Sequence, residues 1–300
     1  MSNALSYNGH MVTYGGHFLN AYDPYNPLRL PDYTARLEYA VGDTPTYDSD
    51  VTAVQVSADP NIWDVTCANP IWSANKITGF GADLIRVLGA NSSHVTKMKK
   101  AFYGWANLVS VAQFDTRNVD TMEEMFSGCT SLAIVPQQLD ASNVTTTFMM
   151  FLDCSSLTTA PQLLNSSNLT TTQHMFMYSG VTTVPVFDTH NVKNMNRMFG
   201  SAASLTSVPL LDTSKVQDFE GFCDGCSSLT TVPLLDTSRA STMAYMFNEC
   251  RAVTGGALAL YQQASQQAHT VAFYQWAFKN CGADTTTGAA ELAQIPSSWK

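Results

Sequence analysis

The sequence predicts an α/β repeat solenoid: short parallel strands alternating with helical turns, preceded by a small β-rich cap and an arm. Three observations carry that expectation. A block of about 24 residues recurs between residues 88 and 281, reading Asp-Thr-Ser-Asn-Val, a polar spacer, Met-x-x-Met-Phe, a Cys-containing turn and Ser-Leu-Thr-x-Val-Pro. Inside it, Met122, Met125 and Phe126, like Met195, Met198 and Phe199, have the i, i+3, i+4 spacing of one apolar helical turn. Beyond the turn, Leu229-Thr230-Thr231-Val232-Pro233-Leu234 follows an L-x-x-L-x-L spacing, predicting a strand with Leu229, Val232 and Leu234 inward. A repeat this short cannot bury its own apolar face, so the copies must stack and share one core.

The elements follow in chain order. Residues 1–36 are rich in aromatics, Gly and Pro; Asn8-Gly9 and Gly15-Gly16 between β-prone residues suggest a small hairpin. Too few aliphatic residues are present for this segment to fold alone, and it reads as an attachment arm through Tyr7, Tyr14, Phe18, Tyr22 and Tyr25. Residues 37–87 read as a small β-rich capping unit, with alternation in Leu37–Val41 and Val51–Val56 and with Trp63 and Trp72 plugging the open end of the array. The repeats occupy 88–281, with a helical insertion near 255–268, and residues 282–300 close the far end.

Aligned on the aromatic position, the repeats place Phe102, Phe126, Phe151, Phe176, Phe199, Cys223, Phe247 and Phe278 in one column. Asn91, Asp115, Asp140, Asn165, Asp188, Asp212 and Asp236 form a second, where a short Asx side chain accepts backbone N–H groups left over at a turn. Cys129, Cys154, Cys226, Cys250 and Cys281 recur three positions after the aromatic site, as inward-packed small hydrophobes do. The prolines Pro136, Pro161, Pro185, Pro209 and Pro233 confine any sheet to three or four residues of width.

Composition excludes several classes. The chain is 45% apolar and only 13% charged, with a net charge of −9 and no cationic run longer than Lys99-Lys100. Nucleic acid is therefore not an expected partner, since phosphate binding needs clustered cations. No segment approaches the roughly 18 apolar residues of a membrane span. His10, His17, His94, His174, His190 and His269 share no metal spacing, and no nucleophile–base pair stands out, so neither catalysis nor a cofactor or metal is expected.

Phe114 through Asn118-Val119, Met122, Met125-Phe126, Gly128-Cys129 and Ser131-Leu132 resemble the BspA-type leucine-rich repeat, known also from mycoplasma surface lipoproteins. That resemblance implies a right-handed β/α leucine-rich-repeat solenoid with roles in adhesion. The aromatic start and the Ile-Pro-Ser-Ser-Trp-Lys ending look similar to phage-encoded versions from gut bacteriophages. As written, the amino terminus shows no basic, apolar or cleavage pattern of a secretion signal. The expectation is thus a non-enzymatic virion component (tail, fibre or decoration protein), docked to other virion proteins by its first residues. Its repeats would bind a bacterial surface glycan or protein. The alternatives are a structural spacer or assembly protein of the virion and a bacterial cell-surface adhesin, and homo-oligomers fit any of these. The polar row His94, Asn118, Asn143, Asn168, Asn191, Lys215 and Arg239 is the candidate ligand-facing surface.

Overall fold

A computed structural model of the chain describes residues 30–300 apart from 31, 33, 44, 48, 57–58, 69–70, 73–82 and 267–270, together with the backbone of four short strands before residue 19. Those strands pair as two antiparallel hairpins, β1 (Ser6–Tyr7) with β2 (His10–Met11) and β3 (Thr13–Tyr14) with β4 (His17–Phe18). Of the expected attachment residues, Tyr22 and Tyr25 lie outside the described residues, as do the side chains of Tyr7, Tyr14 and Phe18.

A five-stranded sheet follows, formed by β5 (Thr34–Tyr39), β6 (Val51–Gln55), β7 (Ile62–Cys67), β8 (Leu84–Asn91) and β9 (Ser110–Val111) in the order β6-β7-β5-β8-β9. The first four strands are antiparallel, whereas β8 and β9 are parallel. The sheet therefore changes character where the first repeat joins it. Burial along β7 and β8 departs from strict alternation, and the β5–β8 pairing carries register shifts, so period-two reading found neither strand. Trp72 is fully buried and meets Phe114 of the first repeat at 6.5 Å.

The repeats stack, but the regular β/α solenoid expected from the spacing is not what they form. The sheets are mixed, antiparallel and parallel, and the only α-helices among the described residues are α1 (Ala257–Gln266) and α2 (Thr286–Gln294). Met-x-x-Met-Phe is a run of turns. Two residues before each aromatic-column position the backbone is left-handed, at Lys100, Glu124, Met149, His174, Arg197, Gly221, Tyr245 and Trp276. Two residues after it the same holds, at Gly104, Gly128, Asp153, Tyr178, Ser201, Gly225, Glu249 and Asn280. None of these is β-branched, in keeping with the crowding of Cβ at positive φ. An α-helix cannot pass through two left-handed residues four apart, so alternate N–H groups point to the next repeat. Lys100, Phe102 and Gly104 donate to the carbonyls of Glu123, Met125 and Ser127 at 2.8–2.9 Å. The intervening Ala101 and Tyr103 close back three residues, to Met98 and Lys100 at 3.2 Å. Spacing of i, i+3 brings side chains together in such a turn as it does in a helix, which is why the stripe misled.

The strand expectation needs a second correction. In the repeats, pairing beyond isolated bridges is confined to β9 and to β10 (Gln138–Asp140), which pairs in parallel with β11 (Gln162–Leu164). Leu229 and Val232 do face inward, but Leu234 is exposed and Leu235 takes the core position. The inward positions Leu229, Val232 and Leu235 recur every third residue, with Thr230 and Thr231 both exposed, so the segment does not alternate as a strand does.

The core is a set of columns running along the stack. Phe102, Phe126, Phe151, Phe176 and Phe199 are parallel-stacked at 5.3–5.8 Å with interplanar angles of 4–8°. The Cys223 backbone keeps the column register, donating to Met246 as Phe199 donates to Phe222. Its small side chain leaves room that Phe222 fills edge-on, 5.4 Å from Phe199 and 6.2 Å from Phe247. At the carboxyl end Trp299 lies against Tyr274 at 4.4 Å and Phe278 at 6.3 Å. The helix expected after Gly255-Gly256 is α1; α2, capped by Thr285 accepting from Gly288 N–H, went unread.

All seven cysteines are free and buried. Cys129, Cys154 and Cys226 donate Sγ–H to the aromatic-column carbonyls of the preceding repeat, Phe102, Phe126 and Phe199, at 2.8–3.1 Å. Burial pushes the Cys129 and Cys281 thiols up to about 12, and raises Cys154, Cys223 and Cys250 as well. A folded-state value above the unfolded one means that the thiol contribution is complete below the ordinary 9.0 and is lost as pH climbs from there. The expected result is a melting temperature that falls steadily above that pH, with no thiol titrated by a disulfide reagent at neutral pH until denaturant exposes all seven. Rapid labelling of the native chain would contradict the burial argument.

Candidate functional site

Two surfaces of the stack hold the functional candidates. On the first, the Asx column caps the turn that opens each repeat except at Asn165, whose backbone is left-handed and whose amide donates to Asp140 at 3.1 Å instead. Asp115, Asp188 and Asp212 accept the backbone N–H two residues on at 3.0 Å, Asp140 does so at 2.9 Å and Asp236 at 2.8 Å. Buried hydroxyls beside them cross to the next repeat: Ser92, Thr116, Ser166 and Thr189 donate to the carbonyls of Asp115, Asp140, Asp188 and Asp212 at 2.6–3.0 Å. Arg117 lies on Asp115 at 2.6 Å, and hydrogen bonds from Arg117 hold that carboxyl below the usual aspartate range. Bonds from His190 and from Ser214 do the same for Asp188 and Asp212.

The polar row follows this column. Asn118, Asn143, Asn168 and Asn191 donate their amides to the carbonyls of Ser93, Arg117, Ser142 and Ser167 in the preceding repeat, at 2.5–2.9 Å. Lys215 reaches Asn191 Oδ1 at 2.6 Å, and His94 reaches Asp32 at 3.3 Å. Arg239 is exposed at the end of the row. Each asparagine commits one amide hydrogen to the ladder; Asn118, Asn143 and Asn168 are exposed, whereas Asn191 is half-buried and its Oδ1 is taken by Lys215. An open cleft of about 490 Å³ lies on this edge at the first three repeats, lined by Asn91, Gln113, Asp115, Arg117, Gln138 and Asp140 among others. Its groups are amide, carboxylate, guanidinium and hydroxyl, and the Ser93 hydroxyl in its lining lies 3.2 Å from His94 Nδ1, the same ring nitrogen that faces Asp32 at 3.3 Å. No cluster of three metal-ligating side chains occurs among the described residues.

The second surface is the left-handed corner, which the sequence reading missed by assigning it to a helix. Backbone ladders fix its shape, so side-chain identity is free to change at each repeat. Lys100 pairs with Glu124 at 3.1 Å and covers the Tyr103 ring at 4.8 Å. Phe148 meets His174 at 5.8 Å, and burial with the neighbouring Arg197 holds that imidazole below its usual range. Arg197 pairs with Asp224 at 3.2 Å; Tyr245 packs on Trp276 at 5.1 Å, with Lys279 over the indole at 5.0 Å. Tyr178 stands half exposed at 51%. The recurrent glycines at the second left-handed position, Gly104, Gly128 and Gly225, were the signal available in the sequence.

Comparison with known proteins gives one family. The model described as "Mycoplasma protein of unknown function, DUF285" matches residues 80–184 and 177–280, the same repeats that carry the BspA-type likeness. No curated protein and no solved structure matches the chain.

Proposed function

From a chain that belongs to the DUF285 family of mycoplasma proteins of unknown function, we propose a non-enzymatic binding protein whose repeats contact a bacterial surface receptor, glycan or protein. One observation carries this reading: the corner positions present a different side chain at nearly every repeat on a backbone that does not depend on which residue is there. A surface of this kind, mixing aromatic rings with charges and amides, suits recognition by stacking and hydrogen bonding. Placement in a phage particle, with residues 1–36 docking to other virion proteins, is supported by the likeness of the two ends of the chain to phage-encoded versions. The spacer and cell-surface adhesin readings remain its rivals.

The test is binding of the labelled full chain to bacterial cells and to their purified surface polysaccharides. Tyr178→Ala combined with Trp276→Ala is expected to weaken binding by about tenfold or more, equivalent to about 1.4 kcal/mol, with the melting temperature little changed. Undiminished binding by the double variant would remove the corner from the reading, and no binding by the parent would leave the spacer. Mass spectrometry of purified particles decides the virion placement.

A further inference from the structure

The cleft on the Asx edge owes its room to one small residue. Phe114, Leu139, Phe187, Leu211 and Leu235 each precede an aspartate of the column, whereas Ala90 holds that place before Asn91 and lines the cleft. Its amide lining is equally local. Gln113 and Gln138 stand two residues before their aspartates, where the later repeats carry Val186, Leu210 and Leu234. Several polar groups in this lining keep bonding capacity. Arg117 spends Nε and Nη2 on Asp115, and its Nη1 has no partner among the described residues. The Gln138 side chain is exposed and likewise makes no hydrogen bond within them. Asp140 takes the Ser142 N–H and hydroxyl on Oδ1 and the Asn165 amide on Oδ2, so about one of its roughly four lone-pair sites is left.

We propose that this cleft binds a neutral saccharide, whose hydroxyls bond Arg117, Gln138 and Asp140 against the apolar wall of Phe114. The open groups select that chemistry. They mix donors with acceptors, and a hydroxyl serves both. An anion would face Asp115 and Asp140 in a chain of net −9. A cation would find Asp115 fully engaged by Arg117 and Asp140 nearly so. An apolar ligand would bury the Arg117 and Gln138 donors unpaired. A peptide strand finds no free edge at Gln138, which pairs with Gln162 of β11 on one side and accepts Gln113 Nε2 at 2.7 Å on the other. The volume of about 490 Å³ falls within the ~300–1,000 Å³ of small-ligand sites. The proposal rests on the receptor reading only for the source of the saccharide, a bacterial surface; the site is separate from the corner.

Native electrophoresis of the full chain through gels carrying dextran, mannan or galactomannan is expected to show retardation by at least one of them, and none by polygalacturonate. Gln138→Ala is expected to weaken binding about fivefold and Arg117→Ala about tenfold or more, the loss of one neutral and one charge-assisted hydrogen bond. Ala90→Leu gives the cleft the side chain of the later repeats and is expected to abolish retardation. Gln138→Ala, with an unchanged melting temperature, keeps the test decisive if Ala90→Leu folds poorly. The corner variant, Tyr178→Ala with Trp276→Ala, is expected to be retarded like the parent. A parent retarded by none of the neutral polymers, retardation by polygalacturonate alone, or cleft variants that bind as the parent does would each overturn the proposal. Retardation lost in the corner variant and kept in the cleft variants would also overturn it, and would move the saccharide to the corner. If the parent binds cells but none of the neutral polymers, the cleft falls and the receptor reading stands.

Discussion

Phe151→Ala is expected to lower the free energy of unfolding by about 3–5 kcal/mol. Phe151 is fully buried and lies between Phe126, at 5.4 Å and 8°, and Phe176, at 5.5 Å and 4°. Its removal deletes two ring contacts worth about 0.5–1.5 kcal/mol each and opens a cavity between them. That cavity cannot collapse readily. The backbone on either side is tied to both neighbouring repeats, Phe126 N–H to Met150 and Phe151 N–H to Met175, at 3.0 and 2.9 Å. In a quasi-linear array the weakened interface is also where cooperativity fails, so a second unfolding transition should separate the two ends. Denaturant titration by fluorescence and circular dichroism reads both effects. A loss below about 1.5 kcal/mol would mean that the stack relaxes around the gap and that the column is less rigid than its geometry implies.

What the sequence revealed and what it hid divide along a physical line. Inward columns were legible because burial acts on side-chain type at fixed spacing. Val119, Met122, Met125, Phe126 and Cys129 recur in kind, and all are buried. Backbone conformation was not legible, because side-chain periodicity is blind to it. A run of turns closing every third residue and a helix both bring i and i+3 together, and the glycines at Gly104, Gly128 and Gly225 were a weaker signal than the stripe. Leu234 and Leu235 are chemically equal, and only the three-residue spacing that runs from Leu229 through Val232 decides which is buried. The corner was hidden for the opposite reason: nothing recurs there except the backbone, so a search for recurrence passes over it. The asparagine row was found, but its amide donors turned out to serve inter-repeat bonds that no single sequence displays.

The one repeat that departs from the aromatic pattern offers the most discriminating test of the column. At residues 222–223 the usual Met-Phe pair is replaced by Phe-Cys, and the Phe222 ring turns edge-on into the space a column ring would occupy. Phe222→Met alone should leave a gap beside the small Cys223 side chain and cost about 2–3 kcal/mol. Cys223→Phe alone should force two rings into one site and cost about 1–3 kcal/mol through overpacking. Made together, the two changes restore the Met-Phe arrangement of the neighbouring repeats and should return stability to within about 1 kcal/mol of the parent. The coupling of at least about 2 kcal/mol is the quantity to measure, since only a shared volume produces it. Simple addition of the two losses would show that Phe222 and Cys223 do not exchange places in the column, and that the edge-on ring stabilises the stack by some other contact.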